Sequence, residues 1–159
     1  MPQTALLWLR RDLRLTDNPA LQAAMSGFER VLPIYIHAPE EESPWAPGAA
    51  SRWWLHHSLV ALSEGLRSHG SDLAVARGPS LETLSETARR VGASAVLWNR
   101  LYDPATRERD AQIKTSLRAS GMRCESHNAL LLVEPWEART GAGEPYRVFS
   151  PFWRKISPA

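Results

Sequence analysis

Three arginines and two aspartates fall within eight residues in the stretch Arg10-Arg-Asp-Leu-Arg-Leu-Thr-Asp17. A second polar cluster, Asn99-Arg-Leu-Tyr-Asp103, lies far along the chain. Tyr35-Ile-His37 and Arg52 add a phenol, an imidazole and another guanidinium. An aromatic ring, several N–H donors and a carboxylate together suit a planar heteroaromatic ligand. The candidate binding residues are therefore Arg10, Arg11, Tyr35, Arg52, Asn99, Tyr102 and Asp103. The same arginines and aspartates would equally serve as ion pairs that fix turns, since structural pairs are common.

No complete catalytic set accompanies them. The turn after the first apolar run lacks the Gly-x-Gly-x-x-Gly of a dinucleotide site, and no phosphate loop or Gly-x-Ser-x-Gly elbow occurs. His56 and His57 are adjacent, so a helix sends them to different sides, which is poor zinc geometry. The single Cys124 excludes an internal disulfide and reads as a small buried hydrophobe. No metal site is expected. A net charge of +2 is too small to argue nucleic-acid binding by this chain alone. With no membrane-length apolar run and no signal-peptide pattern, a cytoplasmic location and no membrane partner are expected.

The elements that must position the clusters follow from periodicity. Five short β-like runs begin near Leu6, Val31, Leu73, Ala95 and Met122. The first four are almost continuously apolar, which predicts strands covered on both faces. Between them, Leu55, Leu59, Leu62 and Leu66 mark one helix face, and Leu81, Leu84, Ala88 and Val91 another, with Ser80 as its N-cap. Asn18-Pro19 and Asp103-Pro104 each pair an N-cap with a proline suited to the first helical position; Ile113 and Leu117 anchor the helix that follows Asp103. Gly27, Gly70, Gly92 and Gly121 each close a helical stretch before the next strand. This alternation predicts an α/β fold: a doubly wound, Rossmann-like, five-stranded parallel sheet of order 3-2-1-4-5, with helices on both faces. Such sheets bind ligands beyond the carboxyl ends of their strands, where the polar clusters fall. Residues 38–51 form a long proline-rich loop of the kind that is often functional. The aromatic stretch after His127 follows neither a helix nor a strand period and suggests packing against a partner.

At these residues the sequence resembles DNA photolyases and cryptochromes. The resemblance is carried by Leu7-Trp-Leu-Arg-Arg-Asp-Leu-Arg-Leu-Thr-Asp-Asn-Pro-Ala-Leu21, Ser51-Arg-Trp-Trp-Leu-His-His-Ser-Leu59, Leu73-Ala-Val-Ala-Arg-Gly78, Asn99-Arg-Leu-Tyr-Asp-Pro-Ala-Thr-Arg-Glu-Arg-Asp110 and Gly143-Glu-Pro-Tyr-Arg-Val-Phe-Ser-Pro-Phe-Trp-Arg154, in order along nearly the whole chain. It implies an α/β antenna domain over 1–128. Residues 129–159 would be an exit segment toward a helical domain, lying beyond this chain, that binds FAD and UV-damaged DNA. No catalytic residue is expected in this chain, and its tryptophans are read as packing rather than as an electron relay.

The resemblance also bears on the antenna chromophore. Folate-using members carry Asn-Glu before the Arg-x-Arg-Asp matched by Arg107 to Asp110, where this chain has Ala105-Thr106. Pro104 is similar to deazaflavin users, and Tyr35 and Arg52 fall on positions lining that seat, although Leu101 replaces a frequent polar contact. An 8-hydroxy-deazaflavin is favoured over methenyltetrahydrofolate or FMN. The implied function is light harvesting for a monomeric deoxyribodipyrimidine photolyase. The alternatives are a cryptochrome photoreceptor or a free-standing flavin- or nucleotide-binding α/β protein.

Overall fold

The computed structural model describes residues 3–44 and 46–157. Its strands are β1 (Thr4–Leu9), β2 (Arg30–His37), β3 (Ala74–Arg77), β4 (Ala93–Asn99) and β5 (Arg123–His127). They form one parallel sheet of order β3-β2-β1-β4-β5, the topology expected from the alternation. β1 lies in the middle, and all six of its residues are buried. Leu6 registers with Leu32 on one side and Val96 on the other.

Because side chains alternate across a strand, β1 feeds two cores. Leu6 and Trp8 pack with Leu84 and Ala88 of α3 (Ser80–Val91) and with Ile113 and Leu117 of α4 (Pro104–Ala119). On the opposite face, Leu7 and Leu9 meet Ala20 of α1 (Pro19–Gly27) and Leu62 and Leu66 of α2 (Ala49–Ser68). Trp8 and Trp98 meet edge to face, with centroids 5.9 Å apart. Cys124 is buried in the first of these cores.

Several local expectations are corrected. β3 is a four-residue edge strand rather than one covered on both faces; its burial alternates, and Val75 is 62% exposed. Only Leu62 and Leu66 of the α2 stripe are buried; Leu55 and Leu59 are half-buried, and Trp53 and Trp54 in the first half of α2 are exposed. Ser80 is the first residue of α3 rather than its cap, which is Pro79. Gly70, Gly92 and Gly121 take positive φ, but Gly27 remains within α1, which Phe28 closes by donating its N–H to Ala24 O.

The chain divides into two compact units, 1–129 and 130–159. The second contains a bridge between Arg139 and Pro145 and an unexpected helix, α5 (Phe149–Ile156). Phe149, Phe152, Trp153 and Ile156 have helical spacing, and Pro151 falls in the first turn, where a proline is tolerated. Among the described residues no helix is long and apolar enough to cross a membrane.

Candidate functional site

β1 delivers Arg10 into the switch point between β1 and β4. The Arg10 N–H donates to Asp12 Oδ1 at 2.9 Å, which turns the chain at the strand end. The Arg10 side chain is buried, with Nη1 2.5 Å from Asp110 Oδ2, Nη2 donating to the Asn99 carbonyl and the guanidinium 4.5 Å from the Trp8 ring centroid. Burial lowers the Arg10 pKa, against the opposing pull of Asp110. Arg109 donates twice to Asp110 Oδ1, at 3.1 and 2.8 Å, and lies 5.1 Å from the Trp8 centroid.

Asn99 completes this network. Its Nδ2 donates to Asp12 Oδ2 at 2.5 Å and Asn18 Oδ1 at 2.7 Å, and its Oδ1 accepts the Ala20 N–H at 3.1 Å. Both amide hydrogens are thereby engaged. The switch point is filled by the protein's own polar groups.

The remaining candidates surround that plug. Arg11, half-exposed, bridges Asp103 at 3.2 Å and Glu42 at 3.0 Å. Partial burial pushes the Asp103 carboxyl up, but hydrogen bonding from Thr106 and the Arg11 charge outweigh it and hold the pKa below its usual value. The Tyr102 hydroxyl lies 3.2 Å from Asn128 Oδ1. Burial and the Glu42 charge raise the Tyr35 pKa. Arg52 Nη1 donates to Pro47 O at 2.8 Å.

Two clefts open here, and both include Leu55 in their walls. The larger, about 690 Å³, gathers Arg10, Arg11, Arg14 and Glu42 opposite Ser51, Trp54 and Ser58. The smaller, about 440 Å³, gathers Tyr35, His37, Arg52 and Arg77. The candidates are thus divided. Arg10 and Arg11 line one cleft, Tyr35 and Arg52 the other, while Asn99, Tyr102 and Asp103 belong to the surrounding hydrogen-bond network. Sequence reasoning missed the α2 wall of the larger cleft. Its signal was available, because Ser51, Trp54, Leu55 and Ser58 share the i, i+3, i+4, i+7 face of one helix.

The DNA photolyase family model matches residues 5–159. The chain belongs to the DNA photolyase family. It is 43% identical over 151 residues to a deoxyribodipyrimidine photo-lyase of Agrobacterium fabrum, covering 95% of this chain and 31% of that protein. It is 41% identical over 156 residues to cryptochrome-2 of Arabidopsis thaliana, covering 98% of this chain and 25% of that protein. The crystal structure of a class III photolyase from Agrobacterium tumefaciens superposes with a TM-score of 0.91 at 40% identity, over 100% of this chain and 32% of that one. The chain therefore spans about a third or less of these relatives. Both photolyases and cryptochromes are among them, and the match to the family falls on their N-terminal α/β domain.

The larger cleft of this photolyase-family domain fits an aromatic chromophore. Its volume lies within the roughly 300–1,000 Å³ of ligand pockets. Trp54 exposes 69% of its surface beside it, and Arg10 Nε is a buried donor without a hydrogen-bond partner. Arg11 and Arg14 supply positive charge and Ser51 and Ser58 supply hydroxyls for the polar edge of a planar ring.

Proposed function

We propose that this chain is the light-harvesting part of a deoxyribodipyrimidine photolyase, which uses light to reverse UV-induced pyrimidine dimers in DNA. The observation that carries the reading is the 690 Å³ cleft, with an exposed indole on one wall and guanidinium groups on the other. An indole face favours offset stacking with a planar ring, and cations favour its carbonyl or anionic edge. The favoured chromophore is an 8-hydroxy-deazaflavin, ahead of methenyltetrahydrofolate or FMN, because Pro104 resembles deazaflavin users and Ala105-Thr106 stands where folate users carry Asn-Glu. Bound there, it supplies absorption of near-ultraviolet and blue light. Arg10 and Arg11 hold its polar edge, and Tyr35 and Arg52 extend the seat beyond Leu55. Asn99, Tyr102 and Asp103 keep the strand-end loops in place. FAD and damaged DNA are bound by the helical portion of a longer protein, monomeric and cytoplasmic.

The same domain would serve a cryptochrome photoreceptor. That reading is favoured by identity to a plant cryptochrome, 41%, nearly equal to that for the photolyase, 43%. Blue illumination of the full-length protein with dimer-containing DNA separates the two: restored pyrimidines support the photolyase, and persistent dimers with reduced FAD bound reject it. For the site, fluorescence titration with 8-hydroxy-deazaflavin is expected to show affinity weakened about tenfold by Arg11→Ala or Arg52→Ala, the loss of one charged contact. Unchanged affinity removes that residue from the site.

A further inference from the structure

A carboxylate that does not line the larger cleft ties down the loop that walls it. Residues Pro39–Glu42 form a 3-10 turn at the start of the proline-rich loop. Within it, Glu41 Oε1 accepts the Ser80 backbone N–H at 2.6 Å, and Oε2 accepts the Ser80 hydroxyl at 2.6 Å. Arg109 approaches the same Oε2 at 3.6 Å. Ser80 is the first residue of α3 and 1% exposed, and Pro79 before it makes no side-chain cap. Glu41 therefore caps α3 from a distance, where a carboxylate is favoured by the exposed N–H groups and the helix dipole. The adjacent Glu42 faces the cleft instead, pairing with Arg11.

We infer that Glu41 is a positioning residue for this cleft. By fastening the 39–42 turn to α3 and Arg109, it holds Glu42 as a preformed wall and so sets chromophore affinity without touching the chromophore. The affinity half rests on the chromophore reading proposed above. The Arg11–Glu42 pair alone is too exposed for the task, since solvated pairs contribute little. The two bonds to Ser80 are short, charge-assisted and partly buried, which makes them the stronger fastening. A loop left unfastened would have to be ordered when ligand binds, and that cost appears directly as lost affinity.

The test compares wild type, Glu41→Ala, Glu41→Gln and Ser80→Ala in the 159-residue chain. Amide exchange of residues 38–48, titration with 8-hydroxy-deazaflavin and thermal unfolding are measured on each. Glu41→Ala is expected to speed exchange in 38–48 and weaken binding about tenfold, the scale of lost preorganisation. Glu41→Gln keeps an oxygen acceptor for the Ser80 N–H and should restore most of both. Ser80→Ala, which removes only the hydroxyl bond, should fall between and serves if Glu41→Ala does not fold. Unchanged exchange in 38–48 overturns the inference. Faster exchange with unchanged affinity overturns its affinity half, as does a lower melting temperature with no change in affinity. If wild type does not bind the chromophore, the proposed chromophore and the affinity half both fail, while exchange still decides whether Glu41 holds the loop.

Discussion

Asp110 receives two guanidinium groups: Arg10 on one oxygen, Arg109 on the other. Removing one partner of a buried pair strands the other in a poorly solvating interior, so Asp110→Asn should cost about 3–5 kcal/mol in urea unfolding. Replacing Arg10 and Asp110 together by Met and Leu should cost less than Asp110→Asn alone, because Arg10 is then not left buried without its counterion and Arg109 keeps Glu41 as a neighbour. The pairing of these arginines was an open alternative in the sequence, but Arg10 finds its partner a hundred positions away. Arg107-Glu-Arg-Asp110 offers four charges in a row; helix phase decides which turns inward, since Thr106, Asp110, Ile113 and Leu117 form the buried face of α4. That phase was legible from Ile113 and Leu117, whereas the strand end it meets depended on sheet order. His127 gives a pH signature: burial lowers its pKa, although Glu125 pulls the other way. The unfolded chain then binds this proton more readily than the folded one, so stability should fall as pH drops below about 6.5. His127→Asn should flatten that slope in unfolding curves taken between about pH 5 and 7.5.

At the scale of elements, the caps show where local sequence was decisive. Asn18 Oδ1 accepts the Leu21 N–H at 3.1 Å, as an N-cap should, and also receives Asn99 Nδ2. Because it serves both helix and network, Asn18→Ala should cost about 2 kcal/mol, the upper end for a cap, measured by chemical denaturation. Ser80 had the same local signature, yet its cap arrives from Glu41, 39 positions earlier. No periodicity within α3 could reveal that. The two sheet edges differ as well. Arg118 donates to Cys124 O and Arg100 to Ser126 O, so guanidinium groups occupy carbonyls of edge strand β5. β3 is protected by brevity instead, a device that leaves Val75 exposed. An apolar run reads as a buried strand whether it ends up central or peripheral, which is why Leu73 to Ala76 looked covered.

Across the molecule, the two faces of β1 divide the apolar residues between an α3/α4 core and an α1/α2 core. The order of strands followed from alternation and handedness alone, because parallel neighbours require crossovers. The cleft was legible only in part: its strand-end residues stood in polar clusters, but its helical wall needed the first half of α2 to be placed beside them. All four strand pairings are parallel, so every pairing in the sheet joins segments remote in sequence. Refolding followed by near-UV circular dichroism of the buried Trp8–Trp98 pair should therefore take milliseconds to seconds rather than microseconds. The position of β1 carries the same logic to the ribosome. Of these five strands, the earliest in the chain is the one that must be flanked on both sides, and β4 begins at Ala93. At about 5–20 residues per second, Asp110 follows Arg10 by roughly 5–20 seconds. Until β4 follows, the nascent chain carries a strand with an open edge, and until α4 follows, a guanidinium awaiting its counterion, so its engagement with chaperones should end as α4 clears the exit tunnel.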